Sequence, residues 1–132
     1  MHEWALAEAV ISTAFRIMEQ ENLKSVSEIR IKIGELQQID REAFKFALRE
    51  IAEQKSLKAE FRLEIEEAEF KCRVCGHVWR FDKEALDEDE REAVHVIPEV
   101  AHAFIKCPRC GSPDFEIVKG RGVWIESVRG ER

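Results

Sequence analysis

Four cysteines in two matched turns carry the strongest chemical signal in this chain: Cys72-Arg73-Val74-Cys75-Gly76 and Cys107-Pro108-Arg109-Cys110-Gly111. Two residues between cysteines let both thiolates of one turn reach one ion. Glycine after the second cysteine permits positive φ, so backbone N–H groups can face the sulfurs. Two such turns supply four sulfurs, the closed tetrahedral set of a structural zinc site. Arg73, Arg109, Lys71 and Lys106 stand beside the thiolates and can offset the negative charge of a zinc tetrathiolate. The gap from Gly76 to Lys106 is 31 residues, longer than the roughly 15 to 20 usual for such pairs. Loop closure depends weakly on length, so the excess costs only about half a kcal/mol. A redox dithiol and an iron site are the competing readings. Two matched knuckles favour zinc, and a saturated site has no open position for zinc catalysis.

The second signal is at the N-terminus, Met1-His2-Glu3. The terminal amine, the His2 amide nitrogen and the His2 imidazole can close fused chelate rings. Such a nitrogen array suits square-planar Ni(II) or Cu(II). Glu3 can add its own amide nitrogen or its carboxylate. Of the other histidines, His77 stands two residues after Cys75 and could replace a thiolate, but four cysteines make that unnecessary. His102 reads as packing within the Cys-rich segment. His95 sits in the β-branched run Ala93-Val94-His95-Val96-Ile97-Pro98 and reads as extended, with one side exposed.

These groups need a scaffold. Residues 3–21 read as a helix with an apolar stripe of Leu6, Val10, Phe15, Ile17 and Met18, stopping at Asn22. Residues 26–34 alternate, with Ile29, Ile31 and Ile33 on one face, and end at Gly34. Asp40 reads as the N-cap of a second helix carrying Phe44, Ala47, Leu48 and Ile51, to about Gln54. Phe61, Leu63 and Ile65 read as the inward side of a strand. The phase then slips to Ala68 and Phe70, so a bulge or strand end falls near Glu66-Glu67. The acidic run Leu86 to Glu92 reads as a solvated loop or helix. Residues 115–128 return to strand text, turning at Gly120-Arg121-Gly122, and the last strand is expected to rejoin the sheet begun by residues 26–34. The fold class expected is α+β: two helices packed on a small sheet, with an inserted zinc-binding domain of zinc-ribbon type. The insert is placed at 72–113, and residues 1–71 plus 114–132 form the other domain.

Composition bounds the function. The chain has 132 residues, 36% of them charged, and a formal net charge of −6. It supplies no positive field to release counterions from nucleic acid, so no nucleic-acid partner is expected. No apolar run is long enough to span a bilayer, and the acids near the N-terminus are unlike a signal peptide. A cytoplasmic protein with its own N-terminus is expected, and disulfides are disfavoured there. Abundant Lys and Glu hint at a thermophile. No nucleophile–base pair or phosphate loop is visible, so the chain does not read as an enzyme.

Together, Met-His-Glu at the start, two helices with a sheet, and two C-x-x-C-G knuckles before the last strands resemble the HypA family of hydrogenase nickel-insertion proteins. Ile33-Gly34-Glu35-Leu36 and Gly120-Arg121-Gly122-Val123 also match, and the resemblance covers the whole chain. It implies a metallochaperone that binds Ni(II) as cargo and delivers it to the active site of a maturing [NiFe] hydrogenase. The implied partners are a HypB-type GTPase/ATPase and the hydrogenase large subunit precursor. The nickel residues implied are His2 and Glu3, with main-chain nitrogens of Met1, His2 and Glu3. The implied structural zinc ligands are Cys72, Cys75, Cys107 and Cys110. The long gap between the knuckles resembles the archaeal Thermococcales type, in which a histidine of the insert can join the nickel site, and the counterpart here is His95. The alternative is a zinc-ribbon adaptor for protein or nucleic acid without nickel function. A thiol-redox protein is the third reading.

Overall fold

The computed structural model describes residues 3–37 and 39–132, and His2 therefore lies outside the described residues. In chain order the elements are α1 (Glu3–Gln20), β1 (Ser25–Gly34), α2 (Arg41–Gln54), β2 (Glu60–Glu66), β3 (Glu69–Cys72), β4 (Val78–Arg80), α3 (Glu88–Val96), β5 (Phe115–Lys119) and β6 (Val123–Glu131), with short 3-10 turns at 35–37, 83–85 and 98–103. This is a mixed α+β fold with two three-stranded sheets, ordered β2-β1-β6 and β4-β3-β5. Contacts divide the described chain into two compact units: residues 3–32, 39–64 and 123–132, and residues 33–37 and 65–122.

In the first unit α1 and α2 pack on each other. α1 buries Ala7, Val10, Ile11 and Ala14. That centre is partly alanine, so Leu6, Phe15, Ile17 and Met18 flank it half-buried. Small residues there let the helices approach closely. Asn22 ends the helix at φ 56°. Asp40 caps α2 by accepting from Ala43 N at 3.1 Å, and Phe44, Ala47, Leu48 and Ile51 are buried as expected. On β1, Ile29, Ile31 and Ile33 are fully buried. β2 departs from its expected pattern. Phe61 is buried, but Leu63 is half-buried and Ile65 exposed. β2 is an outer strand whose inward face is not fully covered.

Glu28 on β1 bridges Arg30 at 2.8 Å and Arg62 of β2 at 2.7 Å. The Arg30 and Arg62 hydrogen bonds hold its carboxyl below the usual range. A depressed carboxyl stabilises the fold above its unfolded pKa, and the effect is lost as pH falls through the folded value. Glu28→Gln is therefore expected to lower stability slightly at neutral pH, within the small range of surface pairs. Chemical unfolding at a series of pH values should show the difference vanish in acid below the ordinary carboxylate range.

In the second unit β3 is central and antiparallel to both neighbours. Phe70 lies opposite Trp79 of β4 and Ile117 of β5, and Cys72 lies opposite Phe115. The phase slip read near Glu66-Glu67 is a true strand end, since β2 stops at Glu66 and β3 starts at Glu69. The Phe70 ring packs 5.0 Å from Phe115 and 5.6 Å from Trp79. Leu36, Ala68, Phe81, Leu86, Val94 and Ala101 complete this core. The unit holding the cysteines thus takes in chain on both sides of 72–113. Phe70 and Phe115, just outside that span, are fully buried in its core. β6, in contrast, rejoins β1 as expected.

The two Gly-containing motifs meet within this unit. Gly34 N donates to Gly122 O at 2.7 Å and Leu36 N to Gly120 O at 3.0 Å. Carboxylate oxygens of Glu35 and Glu66 accept from Ala68 N and Gly120 N at 2.8 and 2.9 Å. A Cβ on Gly120 would collide with the Ala68 backbone, and φ there is +94°. Gly120→Ala is expected to cost about 2–4 kcal/mol, because backbone on both sides must shift. Urea unfolding checks this; Gly76→Ala, whose Cβ meets nothing, is expected to cost less.

Candidate metal centre

The knuckles are built alike. Each begins at a buried cysteine, Cys72 or Cys107, and turns so that Cys75 or Cys110 is exposed. Gly76 N donates to Cys72 O at 3.0 Å, and Gly111 N to Cys107 O at 2.8 Å. Both glycines have φ 78°. Both turns close with a second bond, Cys72 N to His77 O and Cys107 N to Ser112 O, at 2.8 and 2.9 Å. β3 presents the first knuckle directly, because Cys72 is its last residue. The second knuckle follows the 98–103 turn and is tied back before β5.

The four sulfurs converge. Cys72 and Cys110 Sγ are 3.5 Å apart, and Cys75 and Cys107 Sγ are 3.6 Å apart. All four lie within 4.8 Å of one another. Zn–S bonds of ~2.3 Å in a tetrahedron put sulfurs about 3.8 Å apart, so the cluster has the dimensions of a four-coordinate ion. Val74 N and Cys75 N point at Cys72 Sγ from 3.4 and 3.5 Å. Such donors stabilise a thiolate.

The charge pattern follows. The Cys75 N–H, helped by that of Val74, outweighs burial and lowers the Cys72 thiol to about 7. At Cys107 burial pushes up, but the Cys110 and Arg109 N–H groups prevail and the thiol is lowered. At Cys110 the Ser112 N–H pulls down, but burial and the three neighbouring sulfurs outweigh it and raise the thiol to about 12. Four sulfurs this close cannot all be anionic without a cation among them.

Not every expected neighbour takes part. Arg73 turns away from the sulfurs: its Nη1 donates to Asp114 Oδ1 at 3.0 Å and to Phe115 O at 3.2 Å. It locks the first knuckle to the start of β5. A sequence of this length offers no short-range signal for a contact across some forty residues. His77 is outside the sulfur cluster and stacks on Trp79, with ring centroids 6.0 Å apart. His102 packs, as read: its ring lies 4.2 Å from that of Phe115 and its Nδ1 is 3.0 Å from Pro113 O.

His95 is not in an extended segment. It lies half-buried on α3, beside the fully buried Val94. The β-branched residues around it suggested a strand, but Asp87 and Glu90 form a reciprocal capping box that starts a helix. Only Ile97, held before Pro98, is extended. Glu3 is the first residue of α1, and its Oε1 accepts weakly from Asp40 N at 3.4 Å. Glu3 belongs to the first unit and His95 to the second. The four cysteines are the one group of three or more ligating side chains that converges among the described residues.

The family model for hydrogenase/urease nickel incorporation metallochaperone HypA matches residues 1–130. The chain belongs to the HypA family. It is 48% identical over 135 residues to the hydrogenase maturation factor HypA of Pyrococcus horikoshii, covering 100% of this chain and 97% of that one. It is equally similar, 48% over 135 residues with the same coverage, to that of Pyrococcus abyssi. The fold is that of the solution structure of the Ni metallochaperone HypA from Helicobacter pylori. The TM-score is 0.67 at 20% identity, covering 99% of this chain and 98% of that one. Both knuckles and the N-terminal Met-His-Glu fall inside the matched residues 1–130. Among the described residues no helix is long and apolar enough to cross a membrane.

Proposed function

We propose that this chain binds one Ni(II) as cargo at its N-terminus and delivers it to the precursor of a [NiFe] hydrogenase large subunit, while a zinc ion on the four cysteines keeps the second unit folded. The observation that carries this reading is the family match over residues 1–130, which includes both Met1-His2-Glu3 and all four cysteines. The chain acts by binding and transfer in the cytoplasm and is not an enzyme. A HypB-type GTPase or ATPase is its partner in delivery.

The two metals are kept apart by donor chemistry. Four thiolates with convergent N–H groups suit zinc, which gains a closed tetrahedral shell and has no position left for exchange. Cargo needs a site that can open. The amine and amide nitrogens at residues 1–3 and the His2 imidazole provide one, and each can be reprotonated to release the ion. With the Met1 amine, the His2 amide and the His2 imidazole in place, His95 can take the fourth corner instead of the Glu3 amide nitrogen, and the Glu3 carboxylate can take part as well.

Competitive nickel titration of tag-free protein, with zinc content measured on the same samples, tests both assignments. The expected result is one nickel and one zinc per chain, with nickel affinity dependent on His2 and zinc content independent of it. Nickel that is lost on replacing a cysteine but retained on replacing His2 would reverse the assignment.

A further inference from the structure

The sheet of the first unit runs β2-β1-β6, so β6 has one strand neighbour among the described residues. Alternate N–H and C=O groups on its other side have no ladder partner. A hollow of about 760 Å³ lies between the end of α1 and this strand, lined by Ile17, Glu21, Leu23 and residues 125–128 and 130–132. Successive side chains of a strand point to opposite faces, so consecutive residues share one hollow through the strand's edge. β1, on the other side of β6, contributes nothing to the lining. The hollow therefore follows the open main-chain edge over residues 125–131, about 20 Å at roughly 3.3 Å per residue. Ile17, Leu23, Ile125 and Val128 are half-buried and give it an apolar side.

Sheet edges are commonly guarded by lysine, proline or charge. β2, the other edge, is guarded in this way. Arg62 pairs with Glu28 at 2.7 Å and Glu60 at 3.3 Å, and Glu64 pairs with Lys32 at 3.0 Å. Residues 125–131 contain neither lysine nor proline. The charge around the hollow has one sign to spare. The cation in its lining is Arg132, whose Nε and Nη2 donate to Glu21 O and Oε2 at 2.9 and 3.1 Å. Glu131 makes no ion pair among the described residues. Glu126 stands 3.9 Å from Lys32, which sits closer to Glu64. The unmatched charge is therefore negative. We propose that the β6 edge accepts an extended segment of a partner protein as an added strand, with apolar and basic residues at alternate positions. Its apolar side chains pack beside Ile17, Leu23 and Ile125. Its lysines or arginines, on the opposite face, meet Glu126. Main-chain bonds supply affinity in such pairing, and the alternating side chains supply specificity. None of the metal ligands lies in this hollow, so the proposal stands apart from the nickel reading.

The test uses zinc-loaded full-length protein and four probes. The first is N-acetyl-Val-Lys-Val-Lys-Val-amide, and the second replaces both lysines by glutamate. The other two are the first peptide N-methylated at its lysine nitrogens or at its valine nitrogens. Nuclear magnetic resonance titration with the first probe should give saturable amide shifts across 125–131, in the millimolar range. Alternate amides of that stretch should gain hydrogen-exchange protection. The glutamate peptide should bind roughly tenfold more weakly, as like charges replace opposite ones. One N-methylated form should lose binding and the other keep it, because only alternate N–H groups of an added strand face the ladder. The double variant Glu126→Gln, Glu131→Gln should bind the first probe about threefold more weakly, with zinc content unchanged. Absence of shifts across 125–131, equal binding of the lysine and glutamate peptides, or equal behaviour of the two methylated forms would each overturn the proposal. So would protection at 125–131 that rises with protein concentration in the absence of peptide, the mark of a second copy on this edge.

Discussion

His2→Ala is expected to abolish tight nickel binding and with it hydrogenase maturation. The imidazole closes the last of the fused chelate rings that start at the terminal amine. Without it, the amide nitrogens have no anchor to hold the ion while they deprotonate. Deprotonated amides are strong-field donors, so bound nickel should be square-planar, diamagnetic and yellow-orange. Binding releases protons, so affinity should fall as pH drops through the imidazole range, ~6.5 for an unperturbed histidine. An N-terminal extension should have much of the same effect without altering a side chain, because it removes the free amine. His95→Ala should weaken binding less, since water can fill one corner of the plane. Zinc content should stay constant in all three. Isothermal titration of tag-free proteins against a nickel-chelating competitor gives these affinities directly. Unaltered affinity in His2→Ala would overturn the nickel assignment, and a zinc-ribbon adaptor would then be the better account of the chain.

Replacing any of the four cysteines by serine should remove the zinc and open the knuckles. Zinc binding and local folding are one equilibrium, worth on the order of 10 kcal/mol at structural sites of this type. Loss of hydrogen-exchange protection is expected at 72–76 and 107–111, where Gly76 N and Gly111 N bond back to Cys72 O and Cys107 O. The four variants should not be equal. Cys72 and Cys107 are 1% and 2% exposed, whereas Cys75 and Cys110 are exposed. Serine at either buried position places a hydroxyl where a thiolate accepted N–H bonds, which should add about 1–2 kcal/mol to the cost. Stripping the metal with chelator should leave the first unit folded, with α1 and α2 still packed. Metal analysis and urea unfolding of the variants decide the matter. A zinc-free protein with full protection across both knuckles would refute a structural role for the metal.

Much of this protein is local in origin, and that part was legible in the residues. The knuckles need only cysteine and glycine at fixed spacing, so all four candidate ligands are visible before any fold is known, and their sulfurs do converge. Helices α1 and α2 and strand β1 follow from periodicity, and the α2 start follows from one capping aspartate. The family could be named from Met-His-Glu and the paired knuckles because those positions carry chemistry and leave little freedom of spacing. What depended on distant contacts could not be read. Arg73 looks like a countercharge for thiolates but is held by Asp114, 41 residues away. His95 lies in a run that favours strands, yet the capping box at Asp87 and the burial of Val94 make it helical. Leu36 sits in a short turn after β1, and only the tertiary fold places it in the core around Phe70 and Phe115. Likewise β5 reads as a strand in isolation, but its partner is decided by the ring of Phe115 packing on Phe70. Periodicity records which face of an element is apolar. It does not record which other apolar face will cover it, because that is set by shape and packing across the whole chain.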